Sequence, residues 1–198
     1  MKNVPNILSA LRIILTPIFL YLYWEGSFIW GIVGLGVFSL ASLTDFLDGY
    51  IARKYKIETE LGTFLDPLAD KILTFSAFIS LLFLNDRLFP WWAIAIIVFR
   101  DIFITVMRIV AKMRKVKMKT LKMGKIKTAV QLVFLYVALF LGVIKGYPHW
   151  IGDFAKDILK TDIMLVLTIS VMAFTAYSGL EYIIKNRNLF RTGYGSGF

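Results

Sequence analysis

Long apolar segments alternate with short polar ones along most of the chain. A membrane-spanning helix needs roughly 20 mostly apolar residues. Six segments meet this condition: residues 7–23, 28–52, 63–84, 90–111, 126–145 and 162–184. The connections between them are short, apart from a basic stretch at 112–125 and a polar stretch at 146–161. The pattern therefore predicts an all-α integral membrane protein, built as a bundle of six transmembrane helices.

Composition supports this prediction and removes several classes of site. Hydrophobic residues make up 58% of the chain and the mean hydropathy is +0.71, which is too apolar for an ordinary soluble domain. The chain has no cysteine, so disulfides, thiolate metal sites and cysteine nucleophiles are excluded. The N-terminus lacks the cleavage site of a signal peptide, and we expect it to be retained. We expect one membrane domain over residues 1–190 and a disordered, glycine-rich tail over 191–198.

The distribution of positive charge predicts the orientation in the membrane. Lysine and arginine are concentrated in cytoplasmic segments of membrane proteins, and tryptophan lies at the membrane interfaces. With the N-terminus inside, the basic residues of the outer segments are Arg87, Lys145, Lys156 and Lys160. The tryptophans lie at the predicted outer ends: Trp24, Trp30, Trp91, Trp92 and Trp150. We therefore expect both termini to be cytoplasmic, with the basic stretch at 112–125 mainly contacting anionic headgroups.

An acidic motif joins the second and third predicted spans. It reads D-x2-D-G-x2-A-R-x8-G-x3-D-x3-D, with the fixed residues Asp45, Asp48, Gly49, Ala52, Arg53, Gly62, Asp66 and Asp70. Residues three or four apart share a helix face, so each span presents two aspartates on one side. Four carboxylates this close repel one another unless cations neutralise them, and charge beside hydrocarbon usually has a function. The motif therefore indicates a metal site at one membrane face.

The ligand type indicates which metal would bind. All four side chains offer oxygen, and the only histidine, His149, lies in a predicted outer loop, so Mg²⁺ or Mn²⁺ is favoured over Zn²⁺. Two divalent ions would balance the four charges, and paired metals are a known device for displacement at phosphorus. A plainer alternative is ordinary ion pairing with Arg53, Lys54 and Lys71. That alternative accounts for two carboxylates, but not for four with small residues between them.

This motif resembles the signature of the CDP-alcohol phosphatidyltransferase family at every fixed position. Looser matches resemble the branch of this family that makes phosphatidylglycerophosphate in bacteria. They are Asn3 to Ser9 with Arg12 and Pro17, then Arg100, Asp101 and Arg108, then Gly124 to Thr128 with Gln131, and Ser178 to Tyr182. The resemblance implies six spans, a cytoplasmic active site in the inner membrane and a homodimer.

The resemblance also implies a role for each matched residue. Asp45, Asp48, Asp66 and Asp70 would bind two divalent cations, and Asp70 would also take the proton from the acceptor hydroxyl. Gly49, Ala52 and Arg53 would hold the cytidine diphosphate part of the lipid. The implied reaction transfers a phosphatidyl group from CDP-diacylglycerol to glycerol 3-phosphate. The absence of a serine–histidine or cysteine nucleophile favours direct displacement.

An anionic acceptor would need cationic partners, and the cytoplasmic halves of three spans offer them. The polar positions are Asp101, Thr105, Arg108 and Lys112 in span four, Lys125, Lys127, Thr128 and Gln131 in span five, and Ser9, Arg12 and Thr16 in span one. Arginine suits a bidentate phosphate contact and lysine adds a point charge. We take Arg108, Lys125, Lys127 and Arg100 as the acceptor-phosphate candidates. Lysines at positions 112 and 125 suit snorkelling to lipid phosphates equally well, and the partner of Glu181 stays open.

Alternatives remain at two levels. Within the family, the acceptor could be inositol phosphate, serine or phosphatidylglycerol; paired basic residues favour a phosphorylated acceptor over serine. Outside it, four carboxylates could form a permeation site of a divalent-cation channel or transporter. Such a site would place acids near the membrane midplane, whereas these lie at one face.

Overall fold

The chain forms helices throughout the described residues of a computed structural model. The model describes the backbone of residues 4–55, 60–113 and 122–186, and the side chains of 6–44, 68–111, 113 and 123–186. In these ranges the helices are α1 (Val4–Trp24), α2 (Phe28–Tyr55), α3 (Glu60–Leu84), α4 (Trp91–Met113), α5 (Lys122–Ile144), α6 (Trp150–Lys160) and α7 (Ile163–Lys185). No strand occurs in them, which confirms the all-α prediction. The predicted tail at 191–198 lies outside the described residues.

The six predicted segments correspond to α1–α5 and α7, with ends within a few residues of the predicted ones. The polar stretch at 146–161 differs from the prediction because it contains the helix α6. Its charged residues pair along the helix, with Lys156 Nζ 2.9 Å from Asp153 and Lys160 Nζ 2.9 Å from Asp157. The apolar side chains of Trp150 and Phe154 are exposed. This composition is typical of a helix that lies along a membrane interface.

The helices pack around a core that runs the length of the bundle. The helix α1 packs most extensively against α2 and α3, and α7 packs against α4 and α5. The core contains Phe19, Phe38, Ala41, Leu73, Ala77, Phe78, Leu81, Leu88, Phe89, Ile94, Ile97, Phe134, Leu135, Ala138, Leu139, Met164 and Val171. Alanines among the aromatic side chains allow the helices to approach closely.

Three described segments are long and apolar enough to cross a membrane: Asn6–Trp24, Met123–Ile144 and Ile163–Lys185. A shorter apolar helix runs over Phe28–Thr44. The helix α4 carries the charged residues Arg100, Asp101 and Arg108 within its apolar sequence, and the described side chains of α3 begin at residue 68. Many large apolar side chains face outward. The chain is therefore a membrane protein, because such an apolar surface is stable in lipid but not in water.

The two ends of the bundle differ in composition. One end holds the α1–α2 and α3–α4 connections, together with α6, and the tryptophans lie there; we call it the tryptophan end. A hydrogen bond from Thr168 Oγ1 to the carbonyl of Leu88, 3.1 Å long, fixes α7 to the α3–α4 connection at this end. The opposite end holds the end of α2 and the start of α3, and we call it the aspartate end.

Candidate functional site

The backbone brings the four motif aspartates to adjoining helix ends. Asp45 and Asp48 lie in the last three turns of α2, which ends at Tyr55, and Asp66 and Asp70 lie in the first three turns of α3, which begins at Glu60. Of these side chains the structure describes that of Asp70. The side chains of Asp45, Asp48, Gly49, Ala52, Arg53, Gly62 and Asp66 lie outside the described ones.

Asp70 is partly open to the surroundings. Its side chain is 34% exposed, and Lys71 Nζ lies 2.9 Å from its Oδ2. One ion pair of the plainer alternative is therefore present. Within the described side chains, no three His, Asp or Glu residues lie close enough to hold a metal ion, and three of the four predicted ligands lie outside that part. An accessible carboxylate at the start of α3 fits the hard oxygen donor set of Mg²⁺ or Mn²⁺.

Asp101 is the centre of a buried group of charges on α3, α4 and α5. We call Lys71, Arg100, Asp101 and Lys127 the Asp101 cluster. Lys127 Nζ donates to both carboxylate oxygens of Asp101, at 2.6 and 2.8 Å. Arg100 Nη1 lies 3.1 Å from Asp101 Oδ1. The side chains of Lys127 and Asp101 are 2% and 1% exposed. Buried charges persist only when paired and hydrogen-bonded, which explains this geometry.

The Asp101 cluster also reaches the motif aspartates and α7. Lys71 Nζ lies 3.9 Å from Asp101 Oδ2, so Lys71 stands between Asp101 and Asp70. Arg100 Nη2 donates to Ser178 Oγ over 2.9 Å. Beside this contact, a side chain at Gly179 would come within 2.9 Å of Arg100 Cγ, so only glycine leaves room for the arginine. The cluster and its contact with Ser178 thus connect four helices to Asp70, the last residue of the acidic motif.

Arg108 and Lys125 are placed differently from the buried cations. Arg108 Nε donates to the Tyr182 hydroxyl over 3.3 Å, and its guanidinium lies 5.3 Å from the centre of the Tyr182 ring. Stacking on an aromatic ring fixes an arginine while leaving its other donors available. Both Arg108 and Lys125 are exposed, and within the described side chains neither pairs with a carboxylate. They can therefore reach an anion from outside the bundle.

The other predicted polar positions occupy the bundle interior. Ser9, Arg12 and Thr16 on α1 are buried, and Thr16 Oγ1 donates to the carbonyl of Arg12 over 2.8 Å. Gln131 Nε2 donates to Thr175 Oγ1 over 3.2 Å and so joins α5 to α7. The predicted polar residues of α4 therefore differ in burial, since Asp101 is buried whereas Arg108 is exposed. Lys112 lies outside the described side chains.

Sequence reasoning missed three of these contacts. It considered Lys71 only as an ion-pair partner of the motif aspartates, treated the Ser178 hydroxyl as a possible interhelical packing group without naming Arg100, and gave no role to the Tyr182 ring. The partner of Glu181, which had stayed open, is Lys185 on the same helix, with Nζ 2.6 Å from Oε1. The available pattern was the i,i+4 spacing of Ser178 and Tyr182, which places a hydroxyl and an aromatic ring on one face of α7.

Comparison with known proteins gives a family profile and several relatives that match most of the chain. The family profile described as "CDP-alcohol phosphatidyltransferase" matches residues 2–175. A Bacillus subtilis protein named "CDP-diacylglycerol--glycerol-3-phosphate 3-phosphatidyltransferase" is 34% identical over 97% of this chain and 99% of its own length. A Mycobacterium tuberculosis protein named "Probable phosphatidylglycerophosphate synthase" is 33% identical over 92% of this chain and 81% of its own. A Rickettsia typhi protein with the same name as the Bacillus protein is 30% identical over 76% of this chain and 96% of its own.

Proposed function

This chain belongs to the CDP-alcohol phosphatidyltransferase family and is an enzyme of that type, and we propose that its acceptor is glycerol 3-phosphate. The reaction transfers the phosphatidyl group of CDP-diacylglycerol to glycerol 3-phosphate, giving phosphatidylglycerophosphate and CMP. The observation that carries this assignment is the match to relatives named for this reaction over nearly the whole chain. Membership of an enzyme family removes the reason for the channel alternative.

Family members generally depend on divalent cations. We propose that Asp45, Asp48, Asp66 and Asp70 hold two of them, Mg²⁺ or Mn²⁺. When bound, such ions polarise the pyrophosphate and stabilise the departing CMP. The adjoining ends of α2 and α3 and the accessible carboxylate of Asp70 support this ligand set.

Asp70 has the second task of proton acceptor. The acceptor hydroxyl oxygen forms a bond to the phosphorus that carries diacylglycerol, and the bond from that phosphorus to the CMP oxygen breaks. The hydroxyl proton goes to Asp70, and the electron pair of the broken bond leaves with CMP. An alcohol is a weak nucleophile, so a positioned base accelerates its attack. The contact with Lys71 holds the carboxylate in one orientation.

The cations of α4 and α5 divide into two groups by burial. Arg108 and Lys125, which are exposed, contact the phosphate of glycerol 3-phosphate directly. Arg100 and Lys127 pair with Asp101 on the same two helices and add positive potential near that phosphate. Gly49, Ala52 and Arg53 hold the cytidine diphosphate portion of the donor, as the motif match implies. Fixed charges in a poorly hydrated site attract an anion more strongly than charges in water do.

The helices α1–α5 and α7 form six membrane spans in this proposal, with α6 along the outer interface. Both termini are cytoplasmic, and the aspartate end faces the cytoplasm from the cytoplasmic membrane. The excess of lysine and arginine in the predicted inner segments supports this orientation. Residues 1–190 form one catalytic domain, and the enzyme works as a homodimer.

The test is release of labelled CMP from CDP-diacylglycerol in detergent with Mg²⁺ or Mn²⁺. Glycerol 3-phosphate, inositol phosphate, serine and phosphatidylglycerol serve as parallel acceptors. We expect turnover with glycerol 3-phosphate alone, reduced about 10²–10⁴-fold by Asp70→Asn because the base is lost. Asp86→Asn, an exposed aspartate at the tryptophan end, is the matched control and should keep full activity. Turnover with another acceptor would contradict the assignment of glycerol 3-phosphate.

A further inference from the structure

A cavity of about 410 Å³ lies at the tryptophan end, away from the catalytic aspartates. It is enclosed by the ends of α1, α3 and α5, the start of α2 and the α1–α2 connection. Its volume falls within the range of small-molecule sites. Of its described lining residues, none belongs to the acidic motif or the Asp101 cluster.

The walls of this outer cavity combine one cation with apolar and hydroxyl groups. Trp24 and Phe83 form an edge-to-face ring pair with centroids 5.0 Å apart on one side. Ser27 and Ser80 contribute hydroxyl groups, and Lys145 contributes an ammonium group. The Ser80 hydroxyl donates to the carbonyl of Ser76 over 3.0 Å, so its oxygen can still accept a hydrogen bond.

Among the described lining residues, Lys145 is the only charged one. Its backbone N–H donates to the carbonyl of Leu141 over 3.1 Å, which fixes the residue directly after the last turn of α5. The side chain is half-buried, and within the described residues no carboxylate lies within 4.0 Å of its ammonium group. The nearby Glu25 accepts the Ser27 N–H over 3.2 Å and so belongs to the connecting turn. A partly buried charge without a counter-ion is unfavourable, which favours an anion beside Lys145.

The position of the cavity indicates which class of anion would bind there. It lies where helices that cross the membrane end, beside a tryptophan of the interfacial belt. A phosphate there would lie at headgroup depth, and acyl chains would contact the Trp24–Phe83 pair. We propose that the outer cavity binds the headgroup phosphate of an anionic glycerophospholipid, with Lys145 as its cationic contact. Basic pockets between transmembrane helices bind anionic headgroups in this way.

Native mass spectrometry of the delipidated full-length protein tests this site. The probes are phosphatidylglycerol, phosphatidylcholine and inorganic phosphate, each titrated into detergent-solubilised protein. We expect phosphatidylglycerol to bind in preference to phosphatidylcholine, and Lys145→Gln to weaken its binding about tenfold because a charge-assisted contact is lost. Lys145→Arg should retain the binding and Lys145→Glu should weaken it further.

The matched control is Lys156→Gln, which removes an exposed lysine on α6 that already pairs with Asp153; its lipid binding should equal that of the wild type. Phosphatidyl transfer should be unchanged in Lys145→Gln, which shows that the variant is folded and that the outer cavity is separate from the catalytic site. Equal binding of phosphatidylglycerol to wild type and Lys145→Gln would overturn the proposal. Displacement of the lipid by inorganic phosphate at equal concentration would identify free phosphate as the occupant and would overturn the lipid assignment.

Discussion

The two ends of the bundle pair the same kinds of residue in opposite surroundings. At the aspartate end, Lys127 and Asp101 pair at 2.6 Å with their side chains 2% and 1% exposed. At the tryptophan end, Arg87 and Asp162 pair at 2.8 Å with their side chains 71% and 59% exposed. The two distances are nearly equal, so distance alone does not reveal how much each pair contributes to the stability of the fold. The difference lies in how deeply the two side chains of each pair are buried.

Burial changes what the loss of one partner does. The two charges of an exposed pair are well hydrated whether or not they are paired, so the pair stabilises the fold little. In a buried pair, removal of one partner leaves an unsolvated charge, although replacing both partners by apolar residues is often neutral. Under the proposed function, the Asp101 cluster fixes cations near the acceptor phosphate, and its contribution to stability is secondary. The exposed pairs at the tryptophan end keep α6 and the α3–α4 connection polar.

Asp101→Asn should have the largest effect on stability. It leaves Lys127 buried without its carboxylate, and we expect the free energy of unfolding to fall by about 3–5 kcal/mol. Denaturant titration in detergent micelles, followed by circular dichroism, measures this change. The double variant Asp101→Leu with Lys127→Met is the control, and it should recover part of the loss because the buried Lys127 charge is removed together with its partner, while Arg100 still loses its carboxylate. A double variant as unstable as Asp101→Asn would contradict this account.

Arg108→Gln should have an intermediate effect, on substrate affinity rather than on stability. We expect the KM for glycerol 3-phosphate to rise about tenfold with kcat little changed, because a cationic contact to the phosphate is lost. Steady-state kinetics with varied acceptor measures the two constants separately. Tyr182→Phe keeps the ring but removes the hydroxyl that accepts from Arg108 Nε, and should raise KM by about threefold. An unchanged KM in Arg108→Gln would remove Arg108 from the acceptor site.

Arg87→Gln should have the smallest effect. The pair with Asp162 is exposed, so we expect the free energy of unfolding to change by less than about 1 kcal/mol. The same denaturant titration measures it, with added salt as a second variable, since exposed pairs are screened. A loss comparable to that of Asp101→Asn would show that burial is not what separates the two ends.

Hydropathy predicted most of the helices because a helix that crosses lipid must consist of a long run of mostly apolar residues. The ends of α1 and α7 fall within a few residues of the predicted segments for this reason. The helix α6 was missed because four charged residues in eleven gave the stretch a polar average. Its helical period was nevertheless visible in Trp150, Phe154 and Ile158, which lie three or four residues apart.

The sequence named Arg100, Asp101 and Lys127 as candidates, but it did not predict how these residues are arranged. Their spacing placed Asp101 and Arg108 on the same face of α4, yet Asp101 is buried and Arg108 is exposed. That difference depends on where α3 and α7 pack against α4, and no local pattern encodes it. The pairing of Lys127 with Asp101 likewise joins residues of different helices. The motif aspartates stay a prediction at three of four positions, since the described side chains include only Asp70.

Gly179 has a consequence for how this chain can vary between organisms. The stem of Arg100 passes where a side chain at this position would be, at 2.9 Å from Arg100 Cγ. Arg100 cannot easily swing away, because Asp101 and Ser178 hold both ends of its guanidinium. Alanine, ordinarily the mildest replacement, would therefore be poorly tolerated here. Lineages can exchange the neighbouring exposed Leu180 with little restriction, whereas position 179 can drift only together with the arginine opposite it.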